Sequence, residues 1–351
     1  MTEMDQRRTV AVLGATGTVG QRFVSLLATH PWFRLAALTG SDRSVGHRYG
    51  DVARWHIGVD IPAAAREMVV QPTRAGLDAQ IVFSALPAAE ADAVEEEFAR
   101  AGHHVFSNAR SHRMDPDVPL LVPEVNPGHA RALEGQRKGR RWSGSLITNP
   151  NCSTIHLVLA LAPLHRGFGL DRLVVTTMQA LSGAGYPGVA SLDALDNVVP
   201  FIDGEEEKMA AESKKILGDF DGAFRDAPFT LSAHCNRVNV RDGHLETVSL
   251  RLAKPATLEG IVETLAAFRG VPQERRLPTA PRCPVIVRAE RDRPQPILDR
   301  DVENGMATVV GRVREDPVLG WKFVLLGHNT IRGAAGASVL NAELLVSEGR
   351  V

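Results

Sequence analysis

Thr9–Leu13 (TVAVL) is a short apolar run that ends on glycine and continues as Gly14-Ala-Thr-Gly17-Thr-Val-Gly20, and no other stretch limits the fold as strongly. An uninterrupted β-rich run of this length is the pattern of a parallel strand buried on both faces. Phe23, Val24, Leu26 and Leu27 come next, within Gln21–Leu27, at the spacing of a helix packed on a sheet. A strand, a glycine turn and a helix form the joint at which backbone N–H groups and the positive helix end hold a dinucleotide pyrophosphate. The spacing is G-x-x-G-x-x-G rather than G-x-G-x-x-G, so its weight comes from the alternating strands and helices downstream. Arg34–Leu38, Gln80–Leu86 and His104–Ser107 read as further strands, with a charged, alanine-rich helix at Ala88–Ala101 between the last two. That alternation predicts an α/β fold with a doubly wound parallel sheet. Gly14, Thr16, Gly17, Thr18 and Val19 are its candidate cofactor contacts.

The chain has 351 residues, a prior of slightly more than two domains. From Leu173 the texture changes to LVVTTMQAL, a glycine-rich turn, an acidic helical stretch and the alternating strand His244–Leu252 with one wet face. A second, α+β domain is expected. Asn329–Leu345 is alanine-rich and helical in character and returns to the first domain in this reading. The expected division is therefore 1–150 plus 329–351 for the cofactor domain and 151–328 for the second. The basic cluster Glu134–Arg141 reads as a solvated surface loop. Lys plus Arg (40) nearly balances Asp plus Glu (41), leaving no global field for nucleic acid or an anionic membrane. The apolar stretch Leu157–Leu164 falls short of the roughly 20 residues of a membrane span. Met1–Arg8 is polar, without a signal core, and three cysteines suit a reducing compartment. A cytoplasmic location is expected.

The second strand leads into Thr39-Gly40-Ser41-Asp42-Arg43-Ser44. Arg43, flanked by the hydroxyls of Ser41 and Ser44, suits a 2′-phosphate through charge-assisted bonds, which predicts NADP over NAD. Asp42 would serve a ribose hydroxyl if the strand ended later. Asn149-Pro-Asn151-Cys152-Ser-Thr precedes the apolar stretch Ile155–Leu164, read as a buried helix closed by Pro163. Cys152 then starts a helix, where the dipole and free N–H groups favour a thiolate and can bind an oxyanion. Cys235 and Cys283 lack such a setting. Among twelve histidines, His244 follows the turn Asp242-Gly243 and opens a strand, so its ring can project from a sheet edge into a cleft. No H-E-x-x-H, paired C-x-x-C or G-x-S-x-G occurs, which removes the common zinc-hydrolase and serine-hydrolase readings, and no metal is expected.

GATGTVG (14–20), SNARSHRMDPDVPLLVPEVN (107–126), NPNCST (149–154), QALSGAGYPGV (179–189), GEEEK (204–208), NRVNVRDGH (236–244) and GHNTIRGAAGA (327–337) together resemble the aspartate-β-semialdehyde dehydrogenases, in their archaeal and fungal branch. The resemblance runs over nearly the whole chain. It implies that Cys152 is the nucleophile, His244 the acid–base histidine and Gln179 the residue that orients substrate. It implies Arg237 for the substrate α-carboxylate, Glu205 for its ammonium, and Lys208 with Arg113 for phosphate, with Asn151 shaping that pocket. Ser182, Gly183 and Asn329 become nicotinamide-side contacts. The implied reaction is NADP-dependent and reversible, from L-aspartyl-4-phosphate to L-aspartate-4-semialdehyde through a Cys152 thioester, with His244 taking the proton of the thiohemiacetal. A malonyl- or succinyl-CoA reductase with the same cysteine chemistry is the alternative, and a non-catalytic NADP-binding protein a third. The family also implies a catalytic and dimerisation role for the second domain, in a homodimer or homotetramer. Asn239 and Leu245 depart from the family's NRVPV and DGHTE, next to Arg237 and His244.

Overall fold

The computed structural model describes residues 7–351, so most of the polar start lies outside the described residues. Six parallel strands form the first sheet: β1 (Arg8–Leu13), β2 (Phe33–Gly40), β3 (Gln71–Pro72), β4 (Ile81–Ser84), β5 (His104–Ser107) and β6 (Ser145–Thr148). Their order is β3-β2-β1-β4-β5-β6, the doubly wound arrangement whose direction reverses between β1 and β4. Every residue of β4 and the last four of β1 are buried, as their unbroken apolar runs require.

The glycine spacing has a steric cause. Gly14 sits at φ +69°, and a Cβ there would lie 2.8 Å from the Ala85 carbonyl oxygen. A Cβ on Gly20 would lie 2.2 Å from the Gly14 carbonyl oxygen, so the first turn of the helix presses directly on the loop. That helix starts at Thr18, with Gly17 as its N-cap, three residues earlier than the apolar spacing suggests.

The second sheet is mixed and has seven strands in the order β13-β14-β15-β12-β7-β11-β8. They are β7 (Leu170–Gln179), β8 (Val198–Val199), β11 (Thr230–Val238), β12 (His244–Leu252), β13 (Val285–Arg288), β14 (Thr308–Asp316) and β15 (Gly320–Gly327); β9 (Asp219–Phe220) and β10 (Phe224–Arg225) form a separate hairpin. Burial alternates along β7, β11 and β12 with period two. Their dry face packs on the helices Cys152–Phe168 and Glu205–Leu217, where Leu157, Leu161, Met209, Val175 and Val248 share one core. The helix Gly336–Ser347 returns to the first sheet, with Val339, Leu340 and Leu344 among Val10, Phe83 and Phe106. Each such fully buried side chain contributes about 1.5–3 kcal/mol.

Three local expectations need correction. Glu134–Arg141 is not a loop: Ala132–Arg140 is helical, with Gln136 buried against the backbone of Asp117 and Leu146. Its Arg140 pairs with Glu96, Asp115 and Asp117, whereas Lys138 and Arg141 stay exposed. Pro163 does not close the Cys152 helix, which continues to Phe168 and ends at Gly169, φ +71°. Strand β2 runs on to Gly40, beyond the expected end at Leu38.

Candidate active site

Asn151 caps the Cys152 helix: its Oδ1 accepts from the N–H groups of Ser153 (2.9 Å) and Thr154 (3.4 Å). The cap is itself held twice from the Glu205–Leu217 helix. Its Nδ2 donates to Glu205 Oε2 and its backbone N–H to Glu212 Oε2, both at 2.6 Å. Cys152, the next residue, is thereby fixed from both sides.

Three strand ends converge on the sulfur. Strands β7 and β11 are parallel with Gln179 opposite Arg237, and β12 starts beside the end of β7 with His244. His244 Nε2 lies 3.2 Å from Cys152 Sγ, and the Ala180 backbone N–H donates to His244 Nδ1 at 3.0 Å. Arg237 donates to the Ala180 carbonyl at 2.7 Å. Gln179 donates to Thr177 Oγ1 (3.3 Å) and Glu205 Oε2 (3.4 Å). Asn329 donates to Ser182 Oγ at 2.8 Å and accepts from the Gly243 N–H at 2.9 Å, tying the Ser182 loop to the turn before His244.

These groups open into a cavity of 640 Å³ lined by Gly17, Thr18, Val19, Arg113, Asn151, Cys152, Gln179, Ser182, Gly183, Glu205, Arg237 and Asn329. Lys208 is not in its lining: its Nζ donates to Glu205 Oε1 (3.1 Å) and the Asp203 carbonyl (3.2 Å). Arg113 reaches the cavity while donating to Glu212 Oε1 at 2.9 Å and to the Asn108 carbonyl at 2.8 Å. A second cavity of 600 Å³ continues around the glycine loop, lined by Gly14, Thr16, Gly17, Gly40, Ser41, Asp42, Thr73, Arg74 and Glu90 among others. Arg43 is exposed and absent from that lining, and Ser44 is buried beneath it. Arg74 is the guanidinium that faces this space.

Sequence reasoning missed Glu212 and Arg74. Glu205, Lys208, Glu212 and Lys215 recur at helical spacing, a stripe of alternating charge that signals more than a solvated pair. Lys215 completes it by donating to the carbonyls of Arg113, Asp115 and Val118. No comparable pattern marks Arg74.

Burial first, then the Glu205 carboxylate, push the Cys152 thiol up to about 12, against Arg237, Arg113 and its own backbone N–H. Burial and Glu205 therefore oppose the thiolate that the helix end favours. Burial, reinforced by Arg237, holds His244 well below its ordinary value. Among the described residues no group of three or more His, Cys, Asp or Glu side chains is placed to hold a metal.

A sulfur, two guanidiniums and a carboxylate on one cavity beside a dinucleotide cradle, with the His244 imidazole buried behind the sulfur and outside the lining, suit covalent acyl chemistry on an anionic substrate. The comparisons with known proteins agree. Residues 9–133 match the semialdehyde dehydrogenase NAD binding domain and residues 161–332 the semialdehyde dehydrogenase dimerisation domain. An aspartate-semialdehyde dehydrogenase of Archaeoglobus fulgidus is 51% identical, covering 97% of this chain and 99% of its own. A malonyl CoA reductase (NADP) of Metallosphaera sedula is 41% identical over 98% of this chain and 99% of its own. The crystal structure of aspartate semialdehyde dehydrogenase with NADP from Candida albicans superposes with a TM-score of 0.91 at 42% identity, covering 98% of this chain and all of that one (100%). The chain belongs to the aspartate-semialdehyde dehydrogenase family.

Proposed function

We propose that the chain catalyses the reversible, NADP-dependent reductive dephosphorylation of L-aspartyl-4-phosphate to L-aspartate-4-semialdehyde, through a thioester on Cys152. The observation that carries this is the charge pattern around the sulfur. Arg237 and Arg113 offer two cationic forks and Glu205 one carboxylate, which suits a substrate with a carboxylate, a phosphate and an ammonium.

Each group acts on the substrate in a definite way. Arg237, fixed on the Ala180 carbonyl, takes the α-carboxylate. Arg113, held by Glu212, takes the phosphate, and Lys208 can turn from Glu205 toward the same anion. Glu205 takes the ammonium. That last contact also removes the carboxylate field which raises the thiol, so seating the substrate lowers Cys152 and primes it. Gln179 orients the acyl group, and the positive end of the Cys152 helix favours the developing oxyanion. Sulfur displaces phosphate, and the barrier is split in two by the covalent intermediate.

The cofactor fits the residues present. The positive φ of Gly14 and the forbidden Cβ of Gly20 leave a bare backbone cradle at a helix start. Gly14, Thr16, Gly17, Thr18 and Val19 would hold the pyrophosphate, Ser41 and Arg74 the 2′-phosphate, and Ser182, Gly183 and Asn329 the nicotinamide side. NADP, when bound, supplies or accepts the hydride.

Cys152→Ala should lower phosphate-dependent NADPH formation by on the order of 10⁵-fold, and mass spectrometry should find an acyl adduct on Cys152 of the native chain. Near-normal turnover in the variant would overturn the reading. Faster reduction of malonyl-CoA than of aspartyl phosphate would move the assignment to the acyl-CoA reductase reading.

Leu192, Leu195, Val198 and Phe201 form an exposed apolar strip beside the wet face of the second sheet, where Val174 is also exposed. This supports a homodimer through that domain; sedimentation as a single protomer at micromolar concentration would refute it. Among the described residues no helix is long and apolar enough to cross a membrane. The free cysteines Cys152, Cys235 and Cys283 suit a reducing, cytoplasmic compartment.

A further inference from the structure

We propose that Glu212 is a positioning residue for the phosphate half of the reaction, because its one carboxylate ties the anion-binding Arg113 to the backbone N–H of the residue before Cys152. The inference rests on the function proposed above and deepens it. Glu212 is buried and lines neither cavity, so it can act only through its partners. Its Oε1 accepts from Arg113 Nη1 at 2.9 Å and its Oε2 from the Asn151 N–H at 2.6 Å. Both partners line the catalytic cavity, and they reach it from different stretches of the chain. One planar group therefore sets the guanidinium in register with the nucleophile.

The same helix holds Arg113 a second time. One turn past Glu212, Lys215 Nζ donates to the Arg113 carbonyl at 2.7 Å and to the carbonyls of Asp115 and Val118. Arg113 is thus gripped by side chain and main chain from a single rigid element. Glu212 and the Asn108 carbonyl, at 2.8 Å, engage its two terminal nitrogens, which fixes the plane of the fork.

Affinity alone does not account for a carboxylate at this place. An anion 2.9 Å from the guanidinium competes with phosphate for the same charge and repels it, and Lys215 one turn away offsets only part of that field. A purely electrostatic phosphate site would bind more tightly without Glu212. What the carboxylate supplies is geometry, and the two roles predict opposite signs when its charge is removed.

The effect is confined to one half of the chemistry. Forming the thioester, with hydride leaving for the nicotinamide, makes no bond to phosphate. Next an oxygen of monohydrogen phosphate bonds the acyl carbon and the C–S electron pair returns to sulfur. The phosphate proton passes to that sulfur by way of His244, leaving acyl phosphate and thiol. Only this step needs Arg113 in place. Asn151 has other supports, its bond to Glu205 and its cap bonds to Ser153 and Thr154, so the sulfur stays fixed when Glu212 is altered.

Glu212→Gln keeps the shape but leaves one acceptor for two donors. In the oxidative direction kcat/KM for phosphate should fall by on the order of 10²-fold, while KM for aspartate semialdehyde, KM for NADP and the rate of Cys152 alkylation by iodoacetamide stay within about threefold of native. A lower KM for phosphate would make Glu212 an opposing charge only, and equal losses for phosphate and semialdehyde would make it structural only; either overturns the proposal. A double-mutant cycle tests the route through Arg113. In an Arg113→Ala background, Glu212→Gln should cost less than about threefold more, and a repeated loss of roughly 10²-fold overturns the proposal. Glu212→Asp, with the charge kept and the reach shortened, should lose about tenfold for phosphate alone. It decides the matter by the same comparison of substrates if the glutamine variant does not fold. The underlying reading fails separately, by the absence of an acyl adduct on Cys152 of the native chain, whereas this proposal fails with the adduct present and phosphate no more affected than semialdehyde.

Discussion

At the chemical end of the cleft Arg113, Asn151, Gln179, Glu205, Arg237 and His244 are all buried and held by hydrogen bonds to one another's elements, whereas at the adenosine end Ser41, Asp42, Arg43 and Arg74 are exposed. The contrast reflects what each end must do. Charge that develops on a reacting carbonyl is stabilised by donors already in place, and any reorganisation at that moment adds to the barrier. Binding a ribose phosphate tolerates side chains that order on contact, at a cost in affinity alone. The two ends should therefore respond very differently to a change of one or two carbon atoms.

Gly183→Ala tests the rigid end. A Cβ at Gly183 would lie 2.8 Å from Arg237 Nη1 and 3.2 Å from His244 Cε1 and Nε2. Arg237 cannot yield without giving up its 2.7 Å bond to the Ala180 carbonyl, the same residue whose N–H fixes the imidazole. A displacement near 1 Å costs about 10²-fold in rate, so kcat/KM should fall by that order. Gly183 is exposed to the cavity, so the melting temperature should stay at the native value. Native turnover in this variant would show that the chemical end is looser than its hydrogen bonds imply.

Arg74→Ala tests the open end. Losing one exposed charge-assisted contact should weaken NADP by about tenfold, roughly 1.4 kcal/mol, and leave NAD affinity unchanged. Fluorescence titration of both cofactors measures this. A larger loss for Arg43→Ala than for Arg74→Ala would mean that the strand-end arginine swings into the cavity on binding, which would sharpen the picture of an adaptable end.

The same contrast governs how far the site can be read from the chain itself. The pyrophosphate turn is local: strand, glycines and helix are contiguous, and each glycine answers to a neighbour within the loop or just past the end of β4. The Cys152 helix start is local too, since Asn151 and the next two N–H groups complete the cap. His244 and Arg237 lie at the ends of alternating strands, a pattern that shows the strand but not what faces its end. Only the sheet order brings them together, through β7 between β11 and β12. Glu212 is out of reach of local reasoning because its partners, Arg113 and Asn151, lie 99 and 61 residues away. Arg140 is similar: its run of basic neighbours reads as solvated until Asp115, Asp117 and Glu96 fold against it. Arg74 comes after a two-residue edge strand, too short to register as a pattern.

The packed end also has a weak point beneath it. Glu246, two residues along β12 from His244, is fully buried between Thr177 and Leu325 on the flanking strands, and neither carboxylate oxygen has a hydrogen-bond partner. Burial alone pushes this carboxyl well above its ordinary 4.5. The native state therefore keeps a proton that the unfolded chain has already released above about pH 4.5. Native stability must then fall as pH rises from 4.5 toward the folded value, because the unfolded state binds fewer protons. Glu246→Gln keeps the shape and removes the ionisation. Its melting temperature relative to the native chain should rise between about pH 4 and pH 8, with little effect on turnover, since Glu246 lines neither cavity. An identical difference at both pH values would mean that Glu246 ionises equally in the folded and unfolded chain, and that the core under the catalytic strands is wetter than its packing indicates.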